Sequence, residues 1–175
     1  MSLVKVLLQE MENNYKVTEK LFQLVEPGQL CWKPPTGSNW MTVGQLLMHC
    51  SQAGGVAVRA FATGDWGLPD GVDMKNIPPE EMLPPAEKLP TIESVDQALK
   101  LLAEDRAIGI ATINGLDEAE LLQKSFSAPW GGAEFTLFQH ILHMINHLGQ
   151  HKGQLFYYLK LLGKDVKTGD LWGEV

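Results

Sequence analysis

Histidine is the residue type whose placement in this sequence most directly suggests chemistry. Four of the five histidines fall within twelve residues, and His143, His147 and His151 recur at intervals of four. Side chains at positions i and i+4 of an α-helix lie one turn apart on the same face, so two such imidazoles can bind one ion. The spacing therefore predicts that this segment contributes two histidine ligands to a divalent-metal site.

Spacing alone leaves the identity of the pair open. Residues eight positions apart are separated by roughly 12 Å of helix rise, so the three histidines cannot all bind one ion. Either His143 and His147 or His147 and His151 form the pair. His140, two turns before His147, is the weakest candidate. His49 is the natural third ligand if its helix packs against theirs, although a lone histidine on an apolar face is more often a hydrogen-bonded core residue.

The residues around the histidines exclude several other chemistries. A zincin motif places glutamate directly after its first histidine, but Met144 and Leu148 stand at those positions. The Glu-x-x-His pattern of ferritin-like di-iron proteins is also missing. Cys50 follows His49 directly and points about 100° away from it on a helix, which argues against a nucleophilic pair. A site with three histidines and one open position, by contrast, can activate water or a thiol.

Four segments with helical periodicity must position these histidines. They span Leu3 to Leu24, Thr42 to Gly64, Ser94 to Gly115 and Thr136 to Gly163. Three of them begin with a Ser/Thr-x-x-Gln pattern, which is typical of a capping box. The chain is therefore predicted to be an all-α four-helix bundle, an architecture that often holds metal ions between facing helices.

The connecting segments are less regular. Residues 64–90 contain six of the ten prolines and are predicted to form a long Pro-rich loop between helices two and three, with the solvated acidic residues Glu80, Glu81 and Glu87. Residues 126–134 contain a Pro-Trp-Gly-Gly turn signal that could join two short strands. No segment of folded size stands apart from the helices, so we expect a single domain over residues 1–175.

Composition limits the partners of this 175-residue chain. Its net charge is −7, and an acidic chain without a basic cluster is a poor candidate for nucleic-acid binding. No apolar run approaches the ~20 residues that span a bilayer, and we find no signal peptide, so no membrane partner is expected. Cys31 and Cys50 form no Cys-x-x-Cys motif, which indicates a reduced, cytoplasmic protein.

Two segments resemble the signature of the DinB family. They are residues 143–155, HMINHLGQHKGQL, and residues 40–49, WMTVGQLLMH. Members of that family are four-helix bundles with one metal-binding histidine on the second helix and a His-x-x-x-His pair on the fourth. The family's closing pattern of His, Arg or Lys, Gly and Gln matches residues 151–154, with Lys152 where arginine is commoner. The Pro-rich loop matches no part of the family pattern.

The resemblance implies that His49, His147 and His151 bind a divalent ion, usually zinc or nickel, and that the protein is a homodimer. Relatives include thiol-S-transferases that use bacillithiol and a mycothiol-dependent maleylpyruvate isomerase. A small-molecule substrate is therefore implied, with a low-molecular-weight thiol as a candidate. Gln154 and His143 are candidates to orient a ligand or a bound water through hydrogen bonds, without binding the ion themselves.

Two hypotheses for the function follow. The first is a metal-dependent enzyme of thiol-S-transferase or hydrolase type. The second is a non-catalytic metal-binding protein, either a stress-response module or a bundle that the metal stabilises. Structural zinc sites usually close with four protein ligands, so three visible ligands favour an open site. Lys152 is expected on a solvated face, and Trp40, Trp130 and Trp172 are expected in the core or at its rim.

Overall fold

The computed structural model describes residues 2–69, 72, 74–78, 81 and 84–173. Its α-helices are α1 (Leu3–Gln23), α2 (Val43–Cys50), α3 (Gly55–Thr63), α4 (Val95–Asn114), α5 (Glu118–Gln123), α6 (Leu137–Leu161) and α7 (Thr168–Trp172). Short 3-10 helices lie at Pro27–Gln29, Met74–Asn76 and Ala86–Lys88. Strands β1 (Ser125–Ser127) and β2 (Glu134–Thr136) pair antiparallel across the turn that the sequence predicted.

The helix starts are fixed by the hydrogen bonds that the sequence predicted. Thr42 accepts a hydrogen bond from the Gln45 N–H, and the Gln45 side chain accepts one from the Thr42 N–H. Thr136 and Gln139 make the same reciprocal pair at the start of α6. At α4 the predicted box is only half formed, because Ser94 accepts from the Gln97 N–H while the Gln97 side chain accepts from the N–H of Glu93. These bonds satisfy backbone donors that a helix start leaves unpaired.

The second helix is broken, whereas the sequence predicted one continuous helix. Residues 51–54 form a turn between α2 and α3. The cause is Asp105 on α4, whose carboxylate accepts hydrogen bonds from the N–H groups of Gly54, Gly55 and Val56 at 3.3, 2.9 and 2.7 Å. A helix start leaves such N–H groups unpaired, and Asp105 provides a buried acceptor for three of them.

Tyr15 completes this buried cap. Its hydroxyl donates to Asp105 Oδ2 at 2.5 Å and accepts from the Gly55 N–H at 2.8 Å. Tyr15 and Asp105 are only 1% and 2% exposed. Burial, together with the neighbouring carboxylate, raises the pKa of the Tyr15 hydroxyl far above its usual range, so this group stays a proton donor. The network joins α1, α3 and α4 inside the core.

Two glycines allow α3 and α4 to cross closely. A Cβ atom on Gly55 would lie 1.7 Å from the carbonyl oxygen of Asp105. A Cβ atom on Gly109 would lie 2.6 Å from Cε of Met11 and 3.0 Å from Cα of Gly55. A separation of 1.7 Å from a backbone atom is a steric collision, so the observed packing requires glycine at position 55. At Gly109 an added Cβ would require the end of the Met11 side chain to shift.

The helices surround one apolar cluster. α1 packs against α4 and α6, α3 packs against the same two helices, and α2 packs against α6. Buried side chains from these five helices form the core, for example Leu7, Leu47, Phe61, Leu102 and Leu148. The predicted all-α fold is confirmed, with α2 and α3 together in the place of the second helix. None of the described helices combines the length and hydropathy needed to cross a membrane.

The described part of the Pro-rich loop is anchored to α2. The Gln45 side chain donates to the carbonyl oxygens of Ala86 and Leu89 at 2.6 and 3.0 Å. Glu81 and Glu87 are exposed as predicted, and Glu80 lies outside the described residues. The single domain over residues 1–175 stays a prediction, and its extreme ends also lie outside the described residues.

Candidate metal centre

Three imidazoles converge between α2 and α6. Nε2 of His147 lies 3.3 Å from Nε2 of His49 and 3.1 Å from Nε2 of His151. One ligand atom from each ring lies within 4.8 Å of the other two. Nitrogens bound tetrahedrally to one ion at 2.0–2.1 Å would lie about 3.3 Å apart. The spacing of the three rings therefore fits a shared divalent cation.

Hydrogen bonding among the rings explains this convergence less well than a metal ion does. Nε2 of His147 faces both other Nε2 atoms, and a neutral imidazole carries one N–H. His147 can therefore donate from Nε2 to only one of its two neighbours. A cation at the common point would satisfy all three lone pairs at once.

The local environment keeps all three histidines neutral. Burial, together with the neighbouring His151 and His147, lowers the pKa of His49 to about 4. Burial also lowers the pKa of His147 and of His151. Since a metal binds the unprotonated nitrogen of neutral imidazole, the site presents its ligand form at neutral pH.

Gln154 links His151 to a chain of hydrogen bonds. Nδ1 of His151 donates to Gln154 Oε1 at 3.1 Å, and the Gln154 amide donates to the Tyr158 hydroxyl at 3.1 Å. That hydroxyl donates to the Met41 carbonyl at 3.1 Å. Each donor in this chain has one acceptor, so the proton of His151 sits on Nδ1 and Nε2 keeps its lone pair for a metal.

The turn between α2 and α3 lies close to His147. The backbone of Ala53 in this turn raises the pKa of the His147 ring, against the larger effect of burial, which lowers it. Ala53 directly precedes the glycines that Asp105 holds. Sequence reasoning missed this effect, because it depends on the break between α2 and α3.

The other two histidines do not join the cluster. His140 is 3% exposed, its Nε2 lies 2.9 Å from the Phe126 carbonyl oxygen, and its ring stacks on Phe61 and Phe126. His143 is exposed and meets Phe135 edge-on, with ring centroids 4.9 Å apart. Of the two pairs that spacing allowed, the structure therefore brings His147 and His151 together with His49, and it places His143 outside the cluster.

Lys152 does not lie on a solvated face, so that prediction was wrong. It is 6% exposed, and its Nζ donates to the carbonyl of Leu171 at 3.0 Å. Burial lowers its pKa, against an opposing effect of Glu10. A lysine stem is apolar enough to lie within a helix contact while its ammonium group reaches a carbonyl, and here it ties α6 to α7.

The predicted tryptophans all lie at the rim of the fold. Trp40, Trp130 and Trp172 are 38%, 48% and 62% exposed. The ring of Trp40 meets that of Tyr158, the residue that bonds to Gln154, edge-on with centroids 6.2 Å apart.

These features define a class of helical-bundle protein with a candidate three-histidine metal centre. One histidine lies on α2 and the other two lie on α6, the last long helix. The sequence model of the DinB superfamily matches residues 10–155, and the chain belongs to that family. The resemblance seen in the sequence is thereby confirmed.

A solved structure supports the same fold. The crystal structure of YjoA, a DinB-like protein from Bacillus subtilis, is similar over 91% of this chain and 94% of its own, with a TM-score of 0.64 and 16% sequence identity. At that identity the likeness supports the fold alone. No curated protein matches the chain.

Proposed function

We propose that this chain is a metal-dependent enzyme whose single ion is held by His49, His147 and His151. The observation that carries the proposal is the convergence of three neutral imidazoles at the spacing of ligands around one ion. Zinc or nickel is the proposed metal, because both suit imidazole ligands. The proposed reaction is transfer of a low-molecular-weight thiol to a small-molecule electrophile, with hydrolysis as the near variant.

The ligand count supports a reactive rather than a structural site. Among the described residues, the group of side chains able to hold an ion here has three members. Structural zinc sites usually have four protein ligands, whereas catalytic sites have three and an open position. When bound, such an ion lowers the pKa of a thiol or of water and so makes a nucleophile available near neutral pH.

The residues of the chain would prepare and orient this site. The Gln154 hydrogen bond fixes the ring of His151, so this ligand needs little rearrangement on metal binding. In the transfer step the thiol sulfur bonds to the electrophilic carbon, the leaving group departs with its electron pair, and the thiol proton passes to solvent. All three rings are half-buried, which limits competing water.

Metal content tests the proposal directly. The purified protein should carry about one equivalent of a transition metal by elemental analysis, and His147→Ala should lose it while keeping its helical circular dichroism. His143→Ala is the matched control, since this histidine lies one turn earlier on the same helix but outside the cluster. Protein that neither contains nor takes up a transition metal would overturn the proposal.

A non-catalytic role remains the alternative function. In that case chelation should lower the melting temperature strongly, and no thiol transfer should depend on the metal. An enzyme site of the proposed kind should lose its activity on chelation with a smaller change in melting temperature, because the buried Asp105 network holds α3 and α4 together without the metal.

A cytoplasmic homodimer is proposed as the working form. Both cysteines are free, with Cys31 exposed and Cys50 buried, which suits a reducing compartment. Tyr157 and Leu161 lie one turn apart on α6 and are 62% and 64% exposed, as a subunit contact would require. Leu161→Glu should then yield a monomer by light scattering, whereas an unchanged mass would exclude this face.

A further inference from the structure

A second concave site lies next to the three histidines and is not used by them. It is a pocket of about 440 Å³ between the β1–β2 turn, α3 and the first half of α6, and we call it the hairpin pocket. Its main walls are the side chains of Phe61, Trp130, Phe135, His140, His143 and Met144. Pockets for small ligands commonly have volumes of about 300–1,000 Å³ and apolar walls.

The hairpin pocket opens along the same face of α6 as the metal centre. His143 and Met144 precede His147 by four and three residues, which places them about one helical turn, or roughly 5.4 Å, along the axis from it. A ligand held in the pocket could therefore reach the three histidines with a substituent only a few atoms long.

The walls of the pocket offer aromatic surfaces. Phe61 meets Trp66 and Trp130 edge-on at centroid distances of 4.9 and 5.8 Å, and Trp66 meets Trp130 at 5.6 Å. Trp130 stays 48% exposed, although its ring is held against two others. Edge-to-face pairs are favourable arrangements of aromatic rings, and a further ring entering the pocket could extend the same packing.

The backbone of the β1–β2 turn keeps Trp130 at the mouth of the pocket. Gly131 and Gly132 follow it with φ angles of 90° and 103°, a conformation that other residues rarely adopt. Both glycines also line the pocket, so the turn itself leaves open the space into which a ring can enter.

The chemistry of the walls selects an uncharged ligand. None of the residues that line the pocket carries a carboxylate, ammonium or guanidinium group. The Nε2 atom of His140 is occupied by the Phe126 carbonyl. His143 is exposed and offers its ring nitrogens to a polar substituent.

A larger pocket lies elsewhere and does not serve the metal centre. It has a volume of about 690 Å³ and lies between α1, α6 and α7, with Glu10, Asn146, Gln150 and Lys152 among its walls. Asn146, Gln150 and Lys152 each adjoin His147 or His151 in the sequence, so each points about 100° away from that histidine around α6.

We propose that the hairpin pocket binds an uncharged aromatic ring with one hydrogen-bonding substituent, and that this ring belongs to the electrophile of the reaction. The second half of this statement rests on the proposed function. Trp130 is then a specificity-determining residue for an aromatic acceptor, which packs on its ring while its reactive carbon lies near the three histidines.

Binding of 2-naphthol to the metal-free, full-length protein tests the pocket. In ¹H–¹⁵N spectra, the indole N–H of Trp130 and the amides around His143 should shift, and Trp130→Ala should weaken binding at least ten-fold. Trp172→Ala is the control, because this exposed tryptophan lies on α7. Equal affinity in Trp130→Ala, or shifts confined to the surroundings of Leu171, would overturn the proposal.

Competition between two electrophiles tests the role in the reaction. With the metal-loaded protein and N-acetylcysteine, 1-chloro-2,4-dinitrobenzene forms a carbon–sulfur bond and releases chloride, while iodoacetamide forms one and releases iodide. The thiol proton enters solvent in both cases. The ratio of aromatic to aliphatic rates should fall at least ten-fold in Trp130→Ala and stay constant in Trp172→Ala.

The two experiments separate the possible failures. Loss of 2-naphthol binding in Trp130→Ala with an unchanged rate ratio would mean that the pocket binds rings but not the acceptor. Absence of metal-dependent transfer to either electrophile would overturn the proposed function and the acceptor role, while the binding result in metal-free protein would stand by itself.

Discussion

Nδ1 of His151 lies 3.1 Å from Oε1 of Gln154, and this contact determines which nitrogen of His151 faces the other two histidines. The amide nitrogen of the same glutamine donates to the Tyr158 hydroxyl, which in turn donates to the Met41 carbonyl. A turned-over glutamine would need the Tyr158 hydroxyl as its donor, so that hydroxyl would lose its bond to Met41. A side chain three residues along the helix thereby holds His151 in the tautomer that a metal requires.

Gln154→Leu should therefore weaken metal binding about 10- to 100-fold, since loss of an outer hydrogen-bond partner typically has this effect. The dissociation constant can be measured by competition with a chromophoric chelator. Gln150→Leu is the matched control, because Gln150 is exposed on the same helix. The same affinity in both variants would show that Gln154 does not orient His151.

Asp105 should be among the most sensitive positions for stability. Asp105→Ala leaves the N–H groups of Gly54 and Val56 and the Tyr15 hydroxyl without their acceptor inside the core, while the Gly55 N–H keeps the Tyr15 oxygen. Buried groups orphaned in this way cost about 1–3 kcal/mol each when they cannot relax, so we expect a total loss of roughly 3–5 kcal/mol in the free energy of unfolding.

Urea denaturation measures this loss, and two further variants make it interpretable. Tyr15→Phe removes one of the partners of Asp105 and should cost about 1–2 kcal/mol. Glu104→Ala changes an exposed acid next to Asp105 and should stay within about 0.5 kcal/mol of the wild type. Equal stability of Asp105→Ala and Glu104→Ala would contradict the assigned role of the buried carboxylate.

The parts of the fold that sequence could predict are those with local signals. The starts of α2 and α6 follow from Thr42 and Thr136, because the capping glutamine lies only three residues away. The β1–β2 turn follows from consecutive glycines. Spacing likewise predicted a histidine pair on α6, and the family resemblance selected His147 and His151, the pair that lies next to His49.

The parts that sequence could not predict depend on distant partners. The break after α2 is held by a carboxylate fifty residues away from Gly55, so the local pattern of residues 42–64 reads as one helix. Lys152 looked solvated because the partner of its ammonium group, the Leu171 carbonyl, belongs to a short helix that the periodicity did not reveal. The effect of the Ala53 backbone on His147 was hidden as well, because it depends on the turn between α2 and α3.

Gly55→Ala should be strongly destabilising, although alanine usually favours helices. The added methyl group would lie 1.7 Å from the Asp105 carbonyl oxygen, so α3 and α4 would have to move apart. We expect a loss of at least about 2 kcal/mol, which is typical of overpacking a tight core. Thermal and urea unfolding both measure it.

Gly153→Ala, unlike Gly55→Ala, should raise the free energy of unfolding. A Cβ atom at this helical position meets nothing within 4 Å, so the substitution should stabilise by about 0.5–1 kcal/mol. If both alanine variants were stabilised, the close crossing of α3 and α4 would be incorrect.

The metal-free protein should lose stability as pH falls from about 6.5 to 4. His49 has a pKa of about 4 in the fold and an ordinary value of 6.5 when exposed. Above pH 6.5 both states are neutral at this site. Between these values the unfolded chain binds a proton that the folded chain does not. The free energy of unfolding therefore decreases as the pH is lowered, and the stability that neutral His49 contributes is lost in full near pH 4.

Urea denaturation of metal-free protein at several pH values between 7.5 and 4.5 measures this slope. Carboxylates also titrate near the lower end, so the informative quantity is the difference from His49→Gln, which should show a shallower slope because the group responsible is gone. His143→Gln, an exposed histidine outside the cluster, should keep the slope of the wild type. Identical slopes in wild type and His49→Gln would mean that burial does not hold His49 neutral, and would remove one of the grounds for treating the cluster as a site ready to bind metal.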